Sequence, residues 1–226
     1  MAGSGTRVPG AAPSVALSHL PADVVVPANL PTAIQDPALL EAWVRLYNHT
    51  DPLRLWDGSS LTGRGLAEYL REHAIPVVWG TAQDCGGYSC SNKTCVAGQD
   101  VCTYGAGQPI FIRAAERGDM AAVVDTLAHE IFHRTQPFGA VHDTRFEEYW
   151  AFRVEYHIAP EKWLTFGAYD PLDANHLSLW LRDNNMPQYF SLPAYPASVA
   201  ALVTTPAQHS GGAYEGLPAA ALGNAQ

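Results

Sequence analysis

The chain has 226 residues, 47% of them hydrophobic, enough to bury one sizeable core and leave irregular ends. Its net charge is -9, and two lysines (Lys93, Lys162) stand against eleven arginines with no basic stripe, which excludes the phosphate-neutralising surface of a nucleic-acid binder. No apolar run approaches the roughly 20 residues of a membrane-spanning helix, and the N-terminus lacks the charged and apolar regions of a signal peptide, so no membrane span or leader is expected.

Residues 1–35 carry five prolines and no sustained period, the pattern of an extended arm that lies on the domain or floats. At Asp36-Pro37 an N-cap followed by proline opens a helix whose Leu39, Leu40, Trp43, Leu46 and Tyr47 share a face. A second helix is expected over about 60–73 on Leu61, Leu66 and Leu70, with Gly63 and Gly65 weakening its start. The run 75–79 and the run 108–113 read as strands. A long helix then starts near Asp119 and carries Met120, Val123, Val124, Leu127, Ala128, Ile131 and Phe132. Thr144-Arg-Phe-Glu147 has the form of a capping box opening a helix to about Ile158, and Asp170-Pro171 opens another to about Arg182. Beyond 190 the chain is rich in Pro, Ala and Gly, with one short helix expected over 196–203.

All four cysteines, Cys85, Cys90, Cys95 and Cys102, lie in one stretch without paired CxxC knuckles. That spacing favours disulfides stapling a loop over a structural zinc, with the pairing open. Disulfides suit an oxidising, extracytoplasmic or secreted setting, against which stands the missing signal pattern; the compartment stays open.

The chemistry lies in His129-Glu130-Ile131-Phe132-His133, which puts two imidazoles one turn apart on the same helix face, the separation that grips a single metal ion. Glu130 beside them is placed to take a proton from a water on that ion and pass it on. Asp125, one turn before His129, is a candidate to hold an imidazole N–H.

Thr126-Leu-Ala-His-Glu-Ile-Phe-His133 resembles the active-site helix of the zincin metallopeptidases. Metzincins continue with a glycine three residues on and a histidine six on; Gln136 and Gly139 stand there, which removes that branch. Gluzincins take a glutamate from the next helix, and Glu148-Tyr-Trp-Ala151 is similar to their Glu-x-x-Ala signature, at an interval that fits the compact members. The resemblance thus implies one Zn2+ on His129, His133 and Glu148 and Glu130 as the catalytic base. Alternatives for the third ligand are Glu147, which the capping box already explains, and Asp143, the aspzincin choice, with His142 a candidate by residue type. Tyr149, Tyr156 and His157 are candidates to stabilise the transition state.

The expected fold is α+β and mainly helical: a zincin-like domain over 36–190 with a small sheet packed on the metal-bearing helix, an arm over 1–35 and a tail over 191–226. The expected function is zinc metalloendopeptidase action on a peptide or protein substrate. The alternative is a structural or assembly protein, extracellular or surface-bound, that retains the domain and self-associates through its terminal arms, such as Val24–Val26 and Ala200–Val203.

Overall fold

The structure is a computed structural model that describes residues 17, 20–81, 83–84, 89–91, 94–95, 102–103, 107–135, 144–160, 164, 166, 169–196 and 199–200. Among them it is α+β, with five α-helices and three small sheets. The helices are α1 (Pro37–Tyr47), α2 (Gly63–Glu72), α3 (Met120–Thr135), α4 (Arg145–Ile158) and α5 (Ala174–Asp183). The strands are β1 (Leu53–Arg54), β2 (Ser60–Leu61), β3 (Val77–Gly80), β4 (Cys90–Ser91), β5 (Thr94–Cys95), β6 (Cys102–Thr103) and β7 (Ile110–Arg113).

Local sequence explains most boundaries. Asp36 caps α1 by accepting from the N–H groups of Ala38 and Leu39, and Pro37 sits where its missing N–H costs nothing. Thr62 caps α2 through Gly65 N–H, one turn later than expected, because Ser60–Leu61 pairs antiparallel with Leu53–Arg54 instead of entering the helix. Gly63 is required by a close approach: a Cβ there would stand 2.6 Å from His49 Cβ and 2.8 Å from the Leu46 carbonyl oxygen. The expected start of α5 at Asp170-Pro171 is corrected to Ala174. Asp170 instead closes a turn, its carboxylate accepting from Leu172 N–H, and Asp173 is the cap, accepting from Asn175 and His176.

The central sheet runs β3-β7-β4, with β3 parallel and β4 antiparallel to β7. Ile110 and Ile112 of β7 and Val77 of β3 are buried against the helices, and α3 packs on this sheet on one side and on α4, α1 and α2 on others. Below it Trp56 gathers Phe132, Phe146 and Trp150 at ring distances of 6.4, 5.4 and 5.2 Å. Burying each such aromatic contributes on the order of 1.5–3 kcal/mol, which holds α3 against α4.

Packing continues into both ends. The arm is tied down at Val25, whose N–H and carbonyl both meet the Asn48 side-chain amide at 2.9 Å, and Ile34 is buried. On the far side the carbonyls of Pro193 and Ala194 accept from Arg145 and Phe146 N–H, capping α4, and Pro196 and Val199 are buried. Of the short helix expected over 196–203, Val199 and Ala200 are helical, Pro196 is not, and residues 197–198 and 201–203 lie outside the described residues.

Candidate metal centre

α3 is apolar where it meets the sheet and its neighbours, with Val123, Leu127, Ala128 and Ile131 all buried. Helical spacing brings His129 and His133 to a common face, their Nε2 atoms 3.1 Å apart. Across from them α4 is held at its first turn by the capping box: Thr144 Oγ1 accepts from Glu147 N–H, and the Glu147 carboxylate accepts from Thr144 N–H at 2.9 Å. This commits Glu147 to the helix terminus and leaves its neighbour Glu148 to face α3. One Glu148 oxygen is 3.7 Å from His129 Nε2 and the other 3.6 Å from His133 Nε2.

One donor atom from each of His129, His133 and Glu148 falls within 4.8 Å of the others, and all three side chains are buried. These residues could hold a metal ion. Tetrahedral ligands at ~2.0–2.1 Å from a zinc stand roughly 3.3 Å from one another, so the observed spacing needs only small side-chain adjustment, and the two-imidazole, one-carboxylate donor set suits a borderline divalent ion.

The surroundings are acidic. Glu130, 5% exposed, follows His129, and Glu155, two turns beyond Glu148 on α4, accepts from His129 Nδ1 at 3.1 Å. Burial pulls the His129 pKa down, but the hydrogen bond and charge of Glu155, then the charges of Glu130 and Glu148, outweigh it and raise the value to about 9. The same carboxylates that attract this proton would attract a divalent cation, which must displace any proton from Nε2 to bind. Phe152 lies edge-on to His129, ring centroids 4.6 Å apart.

Asp125 is the residue its spacing on α3 suggests for an imidazole N–H. Asp125 is fully buried on α3, but the partner of His129 Nδ1 is Glu155. The three proposed transition-state residues are drawn into other contacts. Tyr149 packs in an aromatic cluster with Phe166 and Trp180 at 5.5 and 4.9 Å. Tyr156 lies against Phe166, and His157 hydrogen-bonds the Asp51 carbonyl at the far end of α4. Tyr189, in a short 3-10 turn after α5, has its ring 5.8 Å from that of Phe152, and no sequence motif points to it. Burial, then the charges of Glu148 and Glu130, push its hydroxyl far above the usual tyrosine range. The signal available was weak, a tyrosine among apolar residues far along the chain. Asp143 and His142 lie outside the described residues.

The cysteine segment touches the same helix. Ser91 of β4 donates its hydroxyl to the Glu130 carbonyl at 2.6 Å, and the adjacent Cys90 is disulfide-bonded. Cys85 lies outside the described residues. Two cavities of about 300 and 320 Å³ flank Met120 at the opposite end of α3, and none of the metal-donor residues lines them.

No family model matches this chain, and no similar curated protein or solved structure was found.

Proposed function

We propose that the chain is a zinc-dependent peptidase, a compact gluzincin-like zincin in which His129, His133 and Glu148 hold one Zn2+. The observation that carries this proposal is the buried carboxylate of Glu130 beside three clustered donors, since a purely structural metal site has no need of a base. His129, His133 and Glu148 would hold the ion with three protein donors, which would leave it open to a water. Bound there, zinc supplies a Lewis acid that polarises the scissile carbonyl and lowers the pKa of water towards 7.

The protein's own groups do the rest. Glu130 takes a proton from the attacking water as its oxygen bonds to the carbonyl carbon, then delivers that proton to the amide nitrogen as the C–N bond breaks. Tyr189, kept protonated by burial and neighbouring carboxylates, donates a hydrogen bond to the oxygen on which negative charge develops. Phe152, edge-on to His129, and Tyr189, whose ring lies 5.8 Å from that of Phe152, would limit water on that side of the imidazole.

The test compares wild type with Glu130→Gln for zinc content and for cleavage of a quenched casein substrate. One zinc in both, with cleavage lowered by at least about 10²-fold in the variant, is the expected outcome. Zinc in both without any cleavage by the wild type sinks the peptidase and favours an assembly role, to which the exposed Val25 and Val26 of the arm, 60% and 45% accessible, would contribute. Absence of stoichiometric zinc sinks the metal centre itself.

A further inference from the structure

Helix α4 presents Glu148, Phe152 and Glu155 at i, i+4 and i+7, a single stripe along one face. All three meet the same imidazole. Glu148 lies 3.7 Å from His129 Nε2, Phe152 packs on the ring at a 74° interplanar angle, and Glu155 Oε2 sits 3.1 Å from Nδ1. A carboxylate accepts and does not donate, so Nδ1 must carry the hydrogen of this contact. In the neutral ring that leaves the lone pair on Nε2, the nitrogen turned toward His133 Nε2 and Glu148.

From this geometry we infer that Glu155 is a positioning residue for the metal centre: it fixes His129 in the Nδ1–H tautomer and aims Nε2 at the ion. The inference rests on the proposed binding of zinc by His129, His133 and Glu148, and not on peptide hydrolysis. Both partners are 7% exposed, so water is poorly placed to replace Glu155 as acceptor. Burying a carboxylate is costly unless its oxygens are used, and here one of them orients a ligand. Glu155 also enriches the electron density that His129 offers through Nε2, as carboxylates behind ligating histidines do. One helix therefore contributes a ligand and, two turns on, the group that orients another ligand from the neighbouring helix.

The experiment is zinc competition against a chromophoric chelator on the full chain, for wild type, Glu155→Gln and Glu155→Leu, with a long-range proton–nitrogen spectrum of the zinc-loaded wild type to read the His129 tautomer. Leucine removes the acceptor and is expected to weaken zinc binding by about 10–100-fold, and glutamine, which can still accept, by several-fold. The spectrum is expected to show hydrogen on Nδ1 and metal on Nε2 of His129. Metal on Nδ1 overturns the inference whatever the variants do. So does wild-type affinity in Glu155→Leu, or, should that variant fail to fold, in Glu155→Gln. A group that only stabilised the fold would lower the melting temperature without changing the affinity of the folded protein for zinc. If the wild type binds no zinc, the metal centre fails and this inference with it; if it binds zinc and cleaves nothing, the role of Glu155 stands.

Discussion

At the scale of single residues, the buried carboxylates decide the character of the site. Burial first, then the charges of Glu148, Glu130 and Glu155, raise the Tyr189 pKa, with a hydrogen bond to Gln188 opposing, so the phenol is held in its donor form. Replacing it with phenylalanine is expected to lower kcat by about 10²–10³-fold, with KM and zinc content little changed; a kcat equal to wild type would remove Tyr189 from the mechanism. His49 shows the opposite polarity. Half-buried where α1 ends, it is shifted below its ordinary value by burial and by His157, with Asp51 opposing. A lowered histidine pKa means that the unfolded chain binds the proton more tightly, so stability is full above about pH 6.5 and declines as pH falls towards the folded-state value. His49→Gln should flatten the fall in urea-unfolding stability between about pH 7.5 and 5.5. An unchanged slope would show that His49 does not couple to folding.

At the scale of elements, α4 separates two adjacent glutamates by function. Helix geometry turns successive side chains by 100°, so Glu147 folds back on the cap while Glu148 faces α3. Glu147→Ala is expected to destabilise by about 1 kcal/mol through loss of the capping box and to retain one zinc. Glu148→Ala should lose stoichiometric zinc. Equal zinc content in both variants would return the choice of third ligand to other candidates. The C-terminal end of α3 is fixed separately: Arg134 donates to the carbonyls of Gln108 and Pro109, and Tyr69 donates to the Arg134 carbonyl. These bonds anchor the turn that carries His133.

At the scale of the whole molecule, the three residues that could hold a metal ion bridge α3 and α4, the two helices that the Trp56 cluster also joins. A ligand that binds only the folded arrangement stabilises it by mass action, about 2.7 kcal/mol at a free concentration 100 times Kd. Stripping zinc with a chelator should therefore lower Tm by roughly 5–10 °C for a domain of this size, as read by calorimetry with and without added zinc. Superimposable melts would mean that the ion contributes nothing to the folded arrangement.

Much of this organisation is legible in the chain because it is local. Caps at Asp36 and Thr144, the apolar spacing of α1 and α3, and two histidines one turn apart depend on residues within a few positions of each other, and the structure places them accordingly. That Glu147 is taken up by the cap, so that Glu148 is the one to face α3, is local in the same way. What pattern reading missed depends on distance along the chain. Ser60–Leu61 became a strand because Leu53–Arg54 was there to pair with it. Glu155, 26 positions along the chain from His129, is the partner of its Nδ1, and Tyr189 packs on Phe152, which packs on the same imidazole. Short-range hydrogen bonds and helical periodicity are written into neighbouring residues, so the sequence by itself determined the caps at Asp36 and Thr144, the apolar faces of α1 and α3, and the one-turn spacing of His129 and His133. Which helix faces meet, and so which buried carboxylate orients an imidazole, only the tertiary structure decided, because packing is a property of surfaces that the chain assembles from separate segments.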